Sequence, residues 1–139
     1  MYKRQIITQR SNGAAIETTT QLKTIIIDAL AFAAIKLDAE EIKKTCQRCF
    51  QAIRIEVNNE FNVLDQFLRK LPYALAPGGR VAILSFHSGE DRRVKKSFQH
   101  LFREGVYSDV APDPIRASQE ECFNNRRARS AKLRWAIKA

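Results

Sequence analysis

The sequence predicts an α/β fold, and three observations carry that reading. Ala76-Pro77-Gly78-Gly79-Arg80 is a turn ahead of the uninterrupted apolar run Val81 to Leu84, and the polar cluster Ser85-Phe86-His87-Ser88 ends that run. Apolar residues on both sides of this stretch recur at helical spacing. Near the C-terminus, Leu133, Trp135 and Ile137 alternate with Lys132, Arg134 and Lys138, the period of a half-buried or edge strand. Turn, strand and helix start in immediate succession are the second half of a βαβ unit. A run apolar at every position is expected of a strand covered on both faces in a parallel sheet.

Taken in order, residues 1–15 are polar, lack periodicity and contain the loop signal Ser11-Asn12-Gly13, so a flexible start is expected. Met1-Tyr2-Lys3-Arg4-Gln5 reads like the translation of a transposase end used in sequencing libraries, with GTG as start codon. That implies a reading frame opening inside a longer gene. Thr18 with Gln21 forms a capping box ahead of Leu22, Ile25, Ile26, Ala29, Leu30 and Ala33, predicting a helix to about Lys36, and Asp38 or Ala39 opens another. Phe50, Ile53, Val57, Phe61, Leu64, Leu68, Leu71 and Leu75 follow steps of three and four, the core stripe of one long helix. Arg54 and Asn58 stand one turn apart beside that stripe, facing either a neighbouring cleft or solvent.

Pro77 and the two glycines stop the preceding helix and reverse the chain. Ser88 with Asp91 reads as a capping box for the next helix, whose buried side is Val94, Phe98, Leu101 and Phe102, leaving Arg92, Arg93, Lys95 and Lys96 outward. Pro112 and Pro114 mark a loop, and the basic run Arg126-Arg127-Ala128-Arg129 precedes the last strand.

With 139 residues and 45% hydrophobic content, the chain fits one globular domain. No run of about 18 apolar residues and no signal-peptide pattern is present, which leads to the expectation of a soluble, cytoplasmic protein. Cys46, Cys49 and Cys122 are too few for a four-cysteine site and read as ordinary reduced thiols, so no metal is expected. The net charge of +9 is uneven. Residues 1–79 hold 11 Lys/Arg against 8 Asp/Glu, and residues 80–139 hold 13 against 7, an asymmetry that favours a phosphate-rich partner.

None of the five glycines forms a Gly-x-Gly loop after a strand, so a phosphate or adenosyl cradle is not visible. In open α/β sheets ligands sit beyond the carboxyl ends of the strands, which singles out Ser85, Phe86, His87 and Ser88. His87 suits a general base or hydrogen-bond donor, whereas His100 lies in the polar end of the following helix. A hydrolase would further require a nucleophile elbow and an orienting carboxylate that are not found. Arg126, Arg127, Arg129, Lys132 and Arg134 form the densest positive cluster, either a phosphate contact or a solvated strand entry.

Four ordered segments carry a resemblance to a known family: Arg48-Cys49-Phe50-Gln51-Ala52-Ile53-Arg54-Ile55-Glu56-Val57-Asn58-Asn59-Glu60, then Leu75-Ala76-Pro77-Gly78-Gly79-Arg80, then Ser85-Phe86-His87-Ser88-Gly89-Glu90-Asp91-Arg92-Arg93-Val94-Lys95, and Arg127-Ala128-Arg129-Ser130-Ala131-Lys132-Leu133-Arg134. Together they resemble the bacterial ribosomal RNA small-subunit methyltransferase H family, also called MraW. This family uses S-adenosylmethionine to methylate N4 of a cytosine in the decoding region of 16S rRNA. The family usually has Leu where this chain has Gly89, and Asn-Pro where it has Asn125-Arg126. It also carries an N-terminal half with a glycine-rich adenosylmethionine loop, an acidic ribose-binding residue and an Asp-Leu-Gly-Val-Ser-Ser-like segment, none of which is found here.

The resemblance implies a partial Rossmann-like class I methyltransferase fold, with residues 16–47 ending an inserted helical domain and 48–139 forming the C-terminal part of the methyltransferase domain. It implies that Arg54, Asn58 and Ser85 to Ser88 line a cleft for the cytosine, while the basic cluster at 126–134 meets RNA backbone. It assigns no catalytic residue. The isolated chain is expected to be inactive, to lack adenosylmethionine binding and to self-associate through uncovered sheet edges, with 16S rRNA or the small ribosomal subunit as partner. The alternative is a non-enzymatic basic module that binds RNA or another partner.

Overall fold

The computed structural model describes residues 15–32 and 38–139, so the expectations for residues 1–14 and for the helix end at 33–37 lie outside the described residues. Two compact units divide the chain between Asn58 and Asn59.

In the first unit, helix α1 (Thr19–Phe32) starts at the predicted capping box. Gln21 N–H donates to Thr18 Oγ1 (3.2 Å) and Thr18 N–H to Gln21 Oε1 (2.9 Å). Helix α2 (Ala39–Val57) is capped by Asp38, whose carboxylate accepts from Glu41 N–H at 2.7 Å, and Glu40 and Glu41 sit favourably in its first turn. The two helices bury Ile26, Leu30 and Cys46 against each other, with Leu22, Ile42 and Phe50 around them. Burial, and then the neighbouring Cys46, raise the Cys49 thiol above its ordinary value.

The predicted single long helix is two helices. Asn58 closes α2, donating its N–H to Arg54 C=O, and Asn59 follows with φ of 51°, a left-handed conformation that Asn tolerates and that ends helical continuity. The eight-residue stripe therefore does not form one core. Leu68 and Leu71 are buried, whereas Ile53 and Val57 are exposed.

The second unit opens with helix α3 (Glu60–Ala74), ending just after Pro72. The glycine turn leads into β1 (Arg80–Ser85). Gly78 has a φ of 74°, and a Cβ on Gly79 would stand 2.7 Å from Ala76 C=O, so neither position accepts a side chain without strain. Helix α4 (Ser88–Arg103), β2 (Tyr107–Val110), helix α5 (Gln119–Asn124), a 3₁₀ helix (Arg126–Ser130) and β3 (Lys132–Lys138) complete it.

The sheet has the order β1-β3-β2, and both pairings are antiparallel. Two expectations are corrected here. β1 is an edge rather than the covered centre of a parallel sheet, with Arg80, Ala82 and Leu84 exposed and Val81 and Ile83 half-buried. β3 is half-buried as the alternation allows, but it is the centre rather than an edge, and its buried residues are Arg134 and Ala136, the face opposite to Leu133, Trp135 and Ile137. The reason is which face the helices cover: Leu68 and Leu71 of α3 and Val94 and Phe98 of α4 pack on Tyr107, Ala136, Val81 and Ile83. Phe98 meets the Tyr107 ring edge-on at 5.6 Å. Phe102, expected in the core, is exposed. No helix among the described residues is long and apolar enough to cross a membrane.

Candidate functional site

Beyond Ser85 the chain bends and enters α4, and the bend is held from both sides by adjacent carboxylates. The helix is capped by His87, not by Ser88 as the sequence predicts; Ser88 is the first helical residue and is exposed. His87 Nδ1 accepts the Gly89 N–H at 3.2 Å. Glu90 reaches back so that its Oε2 accepts the Phe86 N–H at 3.1 Å, while its Oε1 lies 3.3 Å from His87 Nε2. Phe86 itself is exposed, its side chain turned out of the bend.

The cap decides the chemistry of His87. A ring nitrogen that accepts an amide N–H carries no proton, so a neutral His87 holds its proton on Nε2, which is buried and has no aligned partner among the described residues. Neither nitrogen is then a ready general base; a hydrogen-bond donor is the role that fits. The same logic bears on Glu60, His87 and Glu90, whose donor atoms come within 4.8 Å of one another as metal ligands would. An ion at Nε2 would need the lone pair that the cap leaves protonated, so the ring would have to give up α4 to bind it.

On the other side of the bend, Asp91 accepts from Arg134 Nε at 2.7 Å and Arg134 Nη2 at 3.4 Å, with Lys132 Nζ at 3.9 Å. Burial alone would raise the Asp91 carboxyl; the hydrogen bond and charge of Arg134, with Lys132 and Lys95, outweigh it and hold the group below its ordinary value. Ser85, also buried, donates its hydroxyl to Lys132 C=O at 3.3 Å. The start of α4 is thereby tied to β3.

Of the basic candidates, Arg126, Arg127 and Arg129 are exposed on the 3₁₀ helix, which is anchored by buried Ala128 and capped by Asn125 accepting from Arg127 N–H. Lys132 is half-buried beside Asp91. Arg134 is 4% exposed and engaged by Asp91, which takes it off the surface on which an RNA backbone would lie. Ser85, His87, Lys132 and Arg134 thus converge around the start of α4. Arg54 and Asn58 belong to the first unit, one turn apart at the end of α2.

Contacts around the bend escaped the sequence reading. Phe61, read only as core, lies 5.9 Å from the His87 ring and carries the Arg93 guanidinium 4.2 Å above its face. Gly89 is what admits it, since a Cβ there would stand 2.8 Å from Phe61 Cζ. Asp91 was legible as a capping-box residue, and Glu90 only as its neighbour at the helix start. Their partners, the Phe86–His87 bend and Arg134, were not.

A nucleotide cofactor would need free backbone N–H groups in a glycine loop. The Gly78 and Gly79 N–H groups are already donated to Lys138 C=O (3.0 Å) and Ala76 C=O (2.8 Å), so this turn does not fit an adenosyl group.

The model of the MraW methylase family matches residues 2–139. The chain is 66% identical over 136 residues to "Ribosomal RNA small subunit methyltransferase H 2" of Alkaliphilus metalliredigens, covering 98% of this chain and 39% of that protein. It is 59% identical over 134 residues to "Ribosomal RNA small subunit methyltransferase H 1" of Lachnoclostridium phytofermentans, covering 96% of this chain and 37% of that protein. Over 91 residues it is 52% identical to the corresponding Nostoc punctiforme protein. The chain spans about two fifths of the length of the first two relatives.

Proposed function

The chain belongs to the MraW methylase family, and from that premise we propose that it is the C-terminal part of an adenosylmethionine-dependent enzyme that methylates N4 of a cytosine in the decoding region of 16S rRNA. Its place of work is the cytoplasm and its partner the small ribosomal subunit. Residues 16–47 correspond to the end of an inserted helical domain and 48–139 to the C-terminal part of a Rossmann-like methyltransferase domain. The open edge of β1 supports this reading, because its unpaired backbone groups are where further strands of a larger sheet would add.

The observation that carries the proposal is the braced bend at the carboxyl end of β1. Methyl transfer to an exocyclic amine depends on positioning more than on strong acid–base help, and the base must be unstacked to present that amine. Glu90, His87 and the Asp91–Arg134 pair fix the backbone from Ser85 to Ser88, so this stretch is a rigid wall for a flipped cytosine, with exposed Phe86 available for stacking. The family resemblance assigns Arg54 and Asn58 to the cytosine as well, and Arg126, Arg127 and Arg129 meet RNA phosphates. The cofactor supplies the methyl group; since the glycine turn here does not fit it, this chain furnishes the nucleotide side only.

A chimera tests the reading. This chain replaces the matching 136 residues of the Alkaliphilus metalliredigens relative, and methylation of 16S rRNA is mapped. N4-methylcytosine in the decoding region is expected; a folded chimera that methylates nothing overturns the proposal. The isolated chain is expected to show no calorimetric binding of adenosylmethionine, and saturable binding at micromolar cofactor would overturn the assignment of the cofactor to the remainder of the protein.

A further inference from the structure

The outer groove between α3 and α4 carries chemistry that the bend does not use. The two helices run side by side in the same direction, because Phe61 meets His87 and, one turn on, Asp65 meets Arg93 at 2.6 Å. The groove continues past them as a hollow of about 670 Å³, floored by Leu68 and walled by Arg69 on one side and by Lys96 and His100 on the other.

Its charge follows from who is paired. Arg93 is fixed twice, by Asp65 and by the face of Phe61, so that pair is neutral and rigid. Arg69 and Lys96 are exposed, and neither enters an ion pair among the described residues, so the groove is left with two unneutralised cations facing each other across apolar floor. One helical turn beyond Arg69 stands Tyr73, 92% exposed. Cations that line a channel and end on an open aromatic ring are the combination that single-stranded nucleic acids use, phosphates on the cations and a base on the ring. An acidic peptide would need the cations but has no use for the ring, and a duplex hides its base faces in its own stack.

We propose that the α3–α4 groove binds a single-stranded RNA segment, with phosphates on Arg69 and Lys96 and one base stacked on Tyr73. The inference rests on the RNA substrate proposed above and adds to it a second anchoring surface, separate from the arginine run.

Fluorescence anisotropy of the full chain with a labelled, mixed-sequence single-stranded RNA tests it. Arg69→Ala with Lys96→Ala should weaken binding and flatten the log-affinity against log-salt slope by about 1.4, roughly 0.7 for each phosphate no longer neutralised on a single strand. Tyr73→Ala should weaken binding about fivefold or more with the slope unchanged, and Tyr73→Phe should restore it. All three side chains are exposed, and circular dichroism checks that the variants keep the fold. Affinities equal to the parent chain's in the charge variant or in Tyr73→Ala overturn the proposal, as does an oligoglutamate peptide that competes as well as RNA of equal charge. If Arg127→Ala with Arg129→Ala weakens RNA binding while the groove variants do not, the groove inference falls and the RNA reading stands. If the parent chain binds no RNA, both fall.

Discussion

The 3₁₀ helix Arg126–Ser130 and the strand Lys132–Lys138 are neighbours in sequence and alike in composition, yet they use their arginines in opposite ways. Arg126, Arg127 and Arg129 stand in solvent with only Ala128 buried beneath them, whereas Arg134 is sunk against α4 and spends two of its nitrogens on Asp91. A guanidinium in water costs nothing to hold and is available to a polyanion; one removed from water is tolerable only with a carboxylate in place. Charge density along the chain therefore does not separate binding residues from structural ones. The position of a carboxylate 43 residues earlier in the sequence does.

The largest expected effect breaks the buried half of that comparison. Asp91→Ala leaves Arg134 buried without its counter-ion and should destabilise the second unit by about 3–5 kcal/mol in urea unfolding. A loss under about 1 kcal/mol would mean that Arg134 swings out to water and that the two regions are alike after all. Acid should act on the same pair. Because the Asp91 carboxyl lies below its ordinary value near 3.8, its contribution is fully present above about pH 4 and disappears as pH falls through the lower value of the folded state. The test is whether Asp91→Asn flattens the fall in stability below pH 4; an unchanged acid limb would assign it to other carboxylates.

A smaller effect is expected at the bend between β1 and α4. His87→Ala removes the cap of α4 and should cost about 1 kcal/mol, with His87→Asn recovering most of it because Asn also accepts at a helix start. Equal losses in both variants would show that the ring packing against Phe61 matters more than the cap. The smallest effect on stability sharpens the exposed half. Arg127→Ala with Arg129→Ala should leave unfolding within about 0.5 kcal/mol, while the salt dependence of single-stranded RNA binding falls by roughly 0.7 of a unit of slope for each arginine that no longer neutralises a phosphate. An unchanged slope would make the run a solvated strand entry.

Local rules in the sequence located much of this. The capping box at Thr18 and Gln21, the start at Asp38, the glycine turn and the strand from Arg80 follow from backbone preferences that need no distant partner. The change from strand to helix between Ser85 and Ser88 was legible for the same reason: a strand, a polar stretch and a helix start occur together in only a few arrangements. Where the reading failed, the deciding residue acts on other chain segments or breaks a period. The stripe from Phe50 to Leu75 keeps helical spacing straight through Asn59, and nothing in periodicity marks the positive φ that splits it.

By itself, then, the sequence determined the starts of the first two helices, the turn, the basic surplus and the family, all set by residue types and short spacings. Only the tertiary structure decided that β3 is the central strand and pairs antiparallel, that its arginine face and not its tryptophan face is buried, and that His87 is the cap. The physical reason is common to these. Burial of one face of a strand is set by which helices cover it, and the alternation Lys132 to Lys138 places a side chain on either face at equal spacing. The carboxylate of Asp91 settles the choice, since it makes a buried Arg134 possible where pattern alone assigns that face to water.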